Sequence, residues 1–442
     1  MTASGPQSNQ PPSEGSALTR ALQRVAAALT YRDFRVLWMG ACTSSIGTWM
    51  QKVAQSWLVL ELTNSAWYLA LDAFVGEAPL LLFTLIGGVV ADRRDRRKLL
   101  LVSQIVQLSS AFSLAALVAT GHVSIWAILC LSFISGTAQA FGGPAYQSLI
   151  PSLVRTEDLP NAIALNSIQF NIARVLGPLL AGIALHRFGM VSCFTLNGIS
   201  FLVVIGSLLA LHVKHVPPAK TRHMWDELRS GLDYARGERR LMALIALAFA
   251  TTFLAIPLLT FLPLMARNIF HEDVGGYSRM MAFSGGGAIV GAIIVAWLGR
   301  FKHMGLTALL VQIVVGAAIV VFSQSRVMWL SQILLLVAGA TLIMSMSLVT
   351  SLVQLIAPND MRGRVMSIYM VAFRGGMPLG SLVSGKVADV TSAPVALAID
   401  GVLLVLVGLY FLVRSHGVRD VEGASRAPQA PVRAAGAAAS GT

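Results

Sequence analysis

The chain has 442 residues, of which 55% are hydrophobic and only 12% charged, and its mean hydropathy is +0.71. A soluble domain carries about a quarter charged residues, so this chain cannot clothe a water-facing surface of its size, and soluble classes are excluded. Its net charge of +13 is no nucleic-acid signature either, because the cations gather in short segments between long apolar runs.

Met1 to Gly15 are rich in Pro, Ser and Gln and lack the apolar stretch of a cleaved signal peptide. Residues 1–30 are read as a disordered cytoplasmic N-terminus. A membrane-crossing helix needs about 20 apolar residues. Runs that meet this occur at 34–61, 67–91, 99–120, 123–145, 160–185, 190–212, 241–266, 278–299, 305–323, 327–350, 365–388 and 393–413. The chain is therefore expected to be an all-α membrane protein with twelve transmembrane helices. The polar segment 213–240 divides them into two pseudo-symmetric six-helix bundles, 31–212 and 241–415. Within that linker Trp225, Leu228, Leu232 and Tyr234 recur at helical spacing among charges, which predicts an amphipathic helix at the membrane surface. Residues 416–442, rich in Ala, Pro, Gly and Ser from Glu422 onward, are expected to form a disordered cytoplasmic tail.

Orientation follows from the 33 Lys and Arg. Arg187, Arg267, Arg279, Arg326 and Lys386 fall on one side, and Lys52, Arg174 and Arg374 fall inside spans. The remainder flank the spans on the other side, which the positive-inside rule makes the cytoplasm. Both termini are then cytoplasmic. The three cysteines, Cys42, Cys130 and Cys193, sit in apolar runs without metal spacing and read as packing residues.

The turn from Gly88 to Lys98 packs Arg93, Arg94, Arg96, Arg97 and Lys98 with Asp92 and Asp95 between two spans. Lipid tolerates neither free charge nor unpaired backbone, so this turn belongs in the aqueous interface. Asp92 could accept amides at a neighbouring helix start; Arg94 and Asp95 read as solvated anchors. The halves also echo each other: Arg174-x3-Pro178 in the fifth span matches Arg374-x3-Pro378 in the eleventh. A six-plus-six duplication with charged residues at mid-depth is the organisation of a secondary transporter.

These residues carry a resemblance to the major facilitator superfamily over essentially all of 31–415. The turn is similar to its signature of Gly, three residues, Asp-Arg, two residues and Arg-Arg, with Asp95 where the broad pattern has Gly. Gly177-Pro178-Leu179-Leu180-Ala181-Gly182 resembles the fifth-span signature of proton-driven exporters. Phe34-Arg35-x-Leu37-Trp38, Trp49-Met50-Gln51, Gly142-Gly143-Pro144-Ala145-Tyr146 and Asn171-x2-Arg174 resemble the enterobactin-exporter and macrolide-efflux branch. The resemblance implies a conformational gate in which Gly88, Asp92, Arg93, Arg96 and Arg97 latch the halves together in the outward-facing state. It also implies export of small amphipathic molecules, siderophore or drug-like, from the bacterial inner membrane. The fourth span, around Gly136-Thr-Ala-Gln-Ala, lacks the membrane Arg of many proton-coupled drug exporters, which leaves Arg174 to serve instead.

Lys52 and Glu77 lie about twelve residues either side of the Asn64-Ser65 turn, about 18 Å deep at 1.5 Å per residue. Opposite charges at equal depth on antiparallel helices invite an ion pair, either a proton-carrying switch or a static fastener. Arg174 reads as a ligand for an anionic substrate group, a tuner of a nearby acid, or a structural partner of helix carbonyls; Arg374 shares these readings. Asp72, nearer the outer surface, reads as a wetted cavity-mouth residue. Trp49, Gln51 and Gln55 give the first span a polar-aromatic character suited to lining a cavity, whereas Trp57 and Trp67 could belong to an interfacial belt. Gly177, Pro178, Gly182 and Pro378 read as close-packing and bending positions.

No phosphate loop, nucleophile–base set or metal spacing occurs in the sequence, so no cofactor, metal or enzymatic role is expected. The expected partners are a small-molecule substrate, protons and the bilayer, with the chain a monomer. Import or facilitated diffusion, including of a lipid, and a non-transporting scaffold are the competing readings.

Overall fold

A computed structural model describes residues 27–212, 224–414 and 417–419. Of the termini expected to be disordered, 27–30 instead form a short 3-10 helix with Ala28 buried and 417–419 a turn with Val418 buried; the rest lies outside the described residues, as do the side chains of Asp92, Arg93, Trp225 and Leu228. Among the described residues the chain is helical with no strand. The first group comprises α1 (Arg32–Thr63), α2 (Ala66–Arg93), α3 (Arg96–Ala119), α4 (Ile125–Leu149), α5 (Leu159–Phe188) and α6 (Met190–Leu209). The linker helix α7 (Met224–Gly237) follows. The second group comprises α8 (Arg239–Ala255), α9 (Pro257–Asn268), α10 (Val274–Leu298), α11 (Met304–Gln324), α12 (Met328–Ile356), α13 (Arg362–Val390) and α14 (Ala393–Arg414).

A helix occupies each of the twelve apolar runs, and the seventh run differs from expectation. It is broken into α8 and α9 at Pro257, which has no N–H to donate and whose ring opposes the preceding turn. Ten helical segments are long and apolar enough to cross a membrane. The two that fall short, α1 and α13, are long enough but hold Lys52 and Glu61, and Arg374, Lys386 and Asp389. Of these, Lys52 and Arg374 lie at mid-depth, where a charge lowers the hydropathy and must face protein or water.

Packing repeats with a shift of six spans. In the first group α2 packs on α4, α1 on α5 and α6, and α3 on α4 and α6; in the second α10 packs on α12, α8 on α13 and α14, and α11 on α12 and α14. Between groups α2 meets α13 and α5 meets α10, and these two contacts exchange under the same shift. Exposed Trp126 and Trp329 mark one end of the bundle and Trp297 the other, as an aromatic belt requires.

Three apolar cores set the shape. One, at the end bearing the Asn64 turn, is shared by both groups and contains Met50, Trp57, Leu69, Leu258, Phe261 and Tyr277. At the basic end there are two cores: Phe34, Leu100 and Leu149 in the first group, and Leu309, Leu352 and Tyr369 in the second. The groups are fused at the Asn64 end and separate at the basic end. α7 docks on the start of α13, where a Cβ on Gly231 would lie 3.0 Å from the Arg364 carbonyl oxygen. The linker helix is therefore held by the second group as well as shaped for the interface.

Local chemistry sets the helix ends. Asn64, with φ 46°, ends α1 in the left-handed conformation, and the Ser65 hydroxyl accepts from the Trp67 N–H to start α2. Asp95 is not a solvated anchor: its carboxylate accepts from the N–H groups of Arg97 (3.0 Å) and Lys98 (3.2 Å) and caps α3. Asp95 is thus the N-cap of α3. Asp95→Ala should cost about 1 kcal/mol, read as a lower melting temperature in detergent, with transport retained.

Candidate functional site: a charged cavity between the helix groups

The α1–α2 hairpin brings Lys52 and Glu77 together, with Nζ 3.4 Å from Oε1. Both side chains are open to the gap, at 59% and 37% exposure, so the pair is neither sealed nor dry. One turn earlier on α1 stands Trp49. The Lys52 ammonium lies 5.5 Å and the Arg174 guanidinium carbon 5.8 Å from its ring centroid. Phe170 meets the same indole edge-on at 6.2 Å. Phe170, Arg174 and Gly177 recur at i, i+4 and i+7 on α5, which aims all three at Trp49.

Gln55 and Asp72 also meet, but as a bonded cluster rather than a wetted mouth. Gln55 Nε2 donates to both carboxylate oxygens of Asp72 (3.0 and 2.9 Å), and the Ser132 hydroxyl donates to Oδ1 at 2.6 Å. Gln51 turns away from the gap: its Oε1 accepts from Asn197 Nδ2 at 2.6 Å, tying α1 to α6. Of the three residues expected to line the cavity, Trp49 and Gln55 stand beside its charged groups and Gln51 serves packing.

Arg374 is exposed on α13. It shares a stripe with Pro378, Ser381 and Gly385, at i+4, i+7 and i+11. Towards the Asn64 end that stripe is covered, with Ser381 hydrogen-bonded to Thr260 and Gly385 against Ala70. Arg374, nearer the basic end on the same stripe, is exposed. Among the described residues the ion pairs are Arg32–Asp33, Lys52–Glu77 and Arg279–Glu272; neither Arg174 nor Arg374 has an acidic partner.

Glycine and proline positions fit close approach. Gly177 has the Cβ of Trp49 directly over it, and a Cβ on Gly182 would come within 2.9 Å of Ser278 on α10. Pro178 and Pro378 are buried at matching places in α5 and α13. Gly177→Val should displace Trp49 and cost about 1–3 kcal/mol by overpacking. Its check is a lower melting temperature together with transport reduced more than expression.

In the basic turn Arg96 donates to the Ser148 carbonyl (3.1 Å), and Arg97 to those of Leu208 (2.6 Å) and Leu209 (2.9 Å). Here both satisfy the orphan carbonyls at the ends of α4 and α6, within the first group. Gly88 has open space where a Cβ would stand; the glycine pressed against a neighbouring backbone is Gly87, at Ala140.

The sequence reading missed the contacts that close the Asn64 end. Ser65 donates to Asp389 at 3.0 Å, Arg267 to the Leu60 carbonyl at 3.3 Å, and Lys386 stands 5.8 Å from the Trp67 ring centroid. Trp57 belongs to neither a belt nor the cavity: it stacks on Tyr277 of α10 at 6.1 Å and donates to Glu61 at 2.7 Å. These residues lie at helix ends and looked like ordinary interfacial side chains. Asp400, 5% exposed on α14, has Oδ2 without a hydrogen-bond partner. Cys130 is exposed on the outer surface of α4, unlike buried Cys193.

Comparison with known proteins agrees with this architecture. The staphyloferrin A transporter of Staphylococcus aureus is 26% identical over 382 residues, 83% of this chain and 92% of that protein. The enterobactin exporter EntS of Citrobacter koseri is 24% identical, covering 87% and 92%. Macrolide efflux protein A of Streptococcus pyogenes is 21% identical, covering 85% and 94%. Among solved structures, a bacterial homologue of the human lysosomal transporter Spinster, inward-facing and unoccupied, superposes with a TM-score of 0.66 over 88% of this chain and 98% of its own, at 12% identity. The nucleoside transporter NupG gives 0.65 over 86% and 98%, at 15% identity. Residues 24–440 match the family described as transmembrane secretion effector, and the chain belongs to that family of major facilitator transporters.

Proposed function

We propose that this protein exports small amphipathic molecules, siderophore or drug-like, across the bacterial inner membrane by alternating access, energised by the proton-motive force. The basic end is cytoplasmic, both termini lie there, and the structure corresponds to the inward-open state. The observation that carries this reading is the division of the apolar core, joined at the Asn64 end and split at the basic end. A rigid scaffold needs no such asymmetry, whereas a two-state carrier requires one end open at a time. The working units are the bundles 31–212 and 241–415 with the linker 213–240 between them, functioning as a monomer.

In this reading Lys52, Glu77, Arg174 and Arg374 form the midplane site, with Trp49 its wall, Gln55 and Asp72 its floor, and Glu77 the group placed to take up a proton. Gly88, Asp92, Arg93, Arg96 and Arg97 latch the basic end when the carrier turns outward, and no bond of the substrate is made or broken. The test is retention of siderophores and drug-like compounds in cells with and without the gene, with and without an uncoupler. Cells lacking the gene should retain more compound, and the uncoupler should erase the difference. Lower retention in the knockout would refute export, and a difference unchanged by the uncoupler would refute the energy source.

A further inference from the structure

We propose that the cavity selects an organic anion, its charged group held by Arg174 and Lys52 and its aromatic or apolar body laid against Trp49 and Phe170. This rests on the export reading and names its substrate class. Arg96, Arg97, Arg267, Arg326 and Arg362 have no acidic partner among the described residues, but each donates to main-chain carbonyls. Arg174 and Arg374, which lie within spans, have neither an acid nor a carbonyl among the described residues, only the indole face for Arg174. A guanidinium at mid-depth without an acceptor is costly, and its planar fork matches a carboxylate, sulfonate or phosphate.

The acids nearby cannot fill that role. Both oxygens of Asp72 are taken by Gln55 and Ser132, and Glu77 is paired with Lys52. Among the described residues no counter-charge is left for Arg174, and an incoming anion supplies it. What lies beside it is aromatic and reachable: Phe170 is 54% exposed and stands edge-on to Trp49, a wall suited to a flat or apolar body. Met370 and Val371, exposed on α13 just before Arg374, extend the apolar lining. A cationic substrate would meet repulsion at the same place.

A consequence concerns the energy source. The electrical part of the proton-motive force, inside negative, then expels the substrate through its own charge.

The test uses fluorescein and rhodamine 6G, xanthene dyes of similar size and opposite charge. Their fluorescence polarisation is titrated with the purified full chain and corrected against protein-free micelles. Fluorescein should bind saturably and rhodamine 6G should not. Arg174→Gln should weaken fluorescein about tenfold, the loss of a charge-assisted contact, and Arg174→Lys should lose less; Lys52→Gln provides a second variant should the first fail to fold. Saturable rhodamine binding as tight as fluorescein's, binding of neither dye, or fluorescein binding unchanged in folded Arg174→Gln and Lys52→Gln would overturn the anion site. In proteoliposomes a valinomycin-imposed potassium diffusion potential, without a pH difference, should move fluorescein. If Arg174-dependent binding holds but no dye crosses, the site stands and the export reading fails.

Discussion

Oxidising a cysteine pair placed at Ser65 and Asp389 should reduce transport roughly 100-fold, because the carrier would be held in one of its two states. The Ser65 hydroxyl and an Asp389 carboxylate oxygen are 3.0 Å apart, at the tip of the α1–α2 hairpin and the end of α13, so a disulfide is within reach. The background should lack Cys42, Cys130 and Cys193, the free cysteines among the described residues. Reductant should restore transport fully, which separates locking from misfolding. Undiminished transport by a quantitatively cross-linked protein would show that the Asn64 end does not open. Asp389→Ala alone should do little, since one exposed hydrogen bond contributes about 1 kcal/mol and Trp57 stacked on Tyr277 remains.

The two ends of the carrier close by different chemistry. At the Asn64 end the seal is mostly apolar, with Trp57, Phe261, Leu258 and Tyr277 in one core; at the basic end the groups present cations. Opening the first end exposes apolar surface at about 25 cal/mol per Å², a cost that closure of the second must offset for the states to remain within a few kcal/mol. Arg96 and Arg97 are occupied with the carbonyls of α4 and α6. Closing the basic end through them would require those bonds to be shared or exchanged.

The helices and their six-span repeat were legible in the sequence because lipid leaves few alternatives: apolar runs of span length must be helical. The repeat Arg174-x3-Pro178 and Arg374-x3-Pro378 announced the six-span shift that the α2–α13 and α5–α10 contacts obey. Depth along a helix was legible too, since counting from Asn64 placed Lys52 opposite Glu77. Rotation about the helix was not. Gln51 and Gln55 are one turn apart and look alike in sequence, yet one bonds Asn197 and the other Asp72. Nor was the Asn64-end seal, because Trp57, Ser65 and Asp389 acquire their meaning only when α1, α2, α10 and α13 are brought together. The break at Pro257 was visible as a residue but hidden by the apolar run around it.

Exchanging the charges of Lys52 and Glu77 should separate a fastener from a working pair. Lys52→Glu alone places two carboxylates where a 3.4 Å ion pair stood and sets an acid beside the Trp49 face, whose quadrupole repels it. Folding and transport should both fall. Adding Glu77→Lys restores opposite charges between α1 and α2, and because the pair is exposed its own contribution is only about 0–1 kcal/mol. The melting temperature should therefore return to the wild-type value. Transport should remain at least about tenfold down, a deficit of about 1.4 kcal/mol in the rate-determining step, because the exchange moves the cation away from Trp49. It also places a carboxylate on α1 beside Trp49, whose ring the Arg174 guanidinium carbon faces at 5.8 Å, where it takes the place of an incoming anion. Wild-type transport by the folded double variant would make the pair a hairpin fastener. A double variant that folds but fails to transport assigns the cation to α1 for its position beside Trp49 and Arg174.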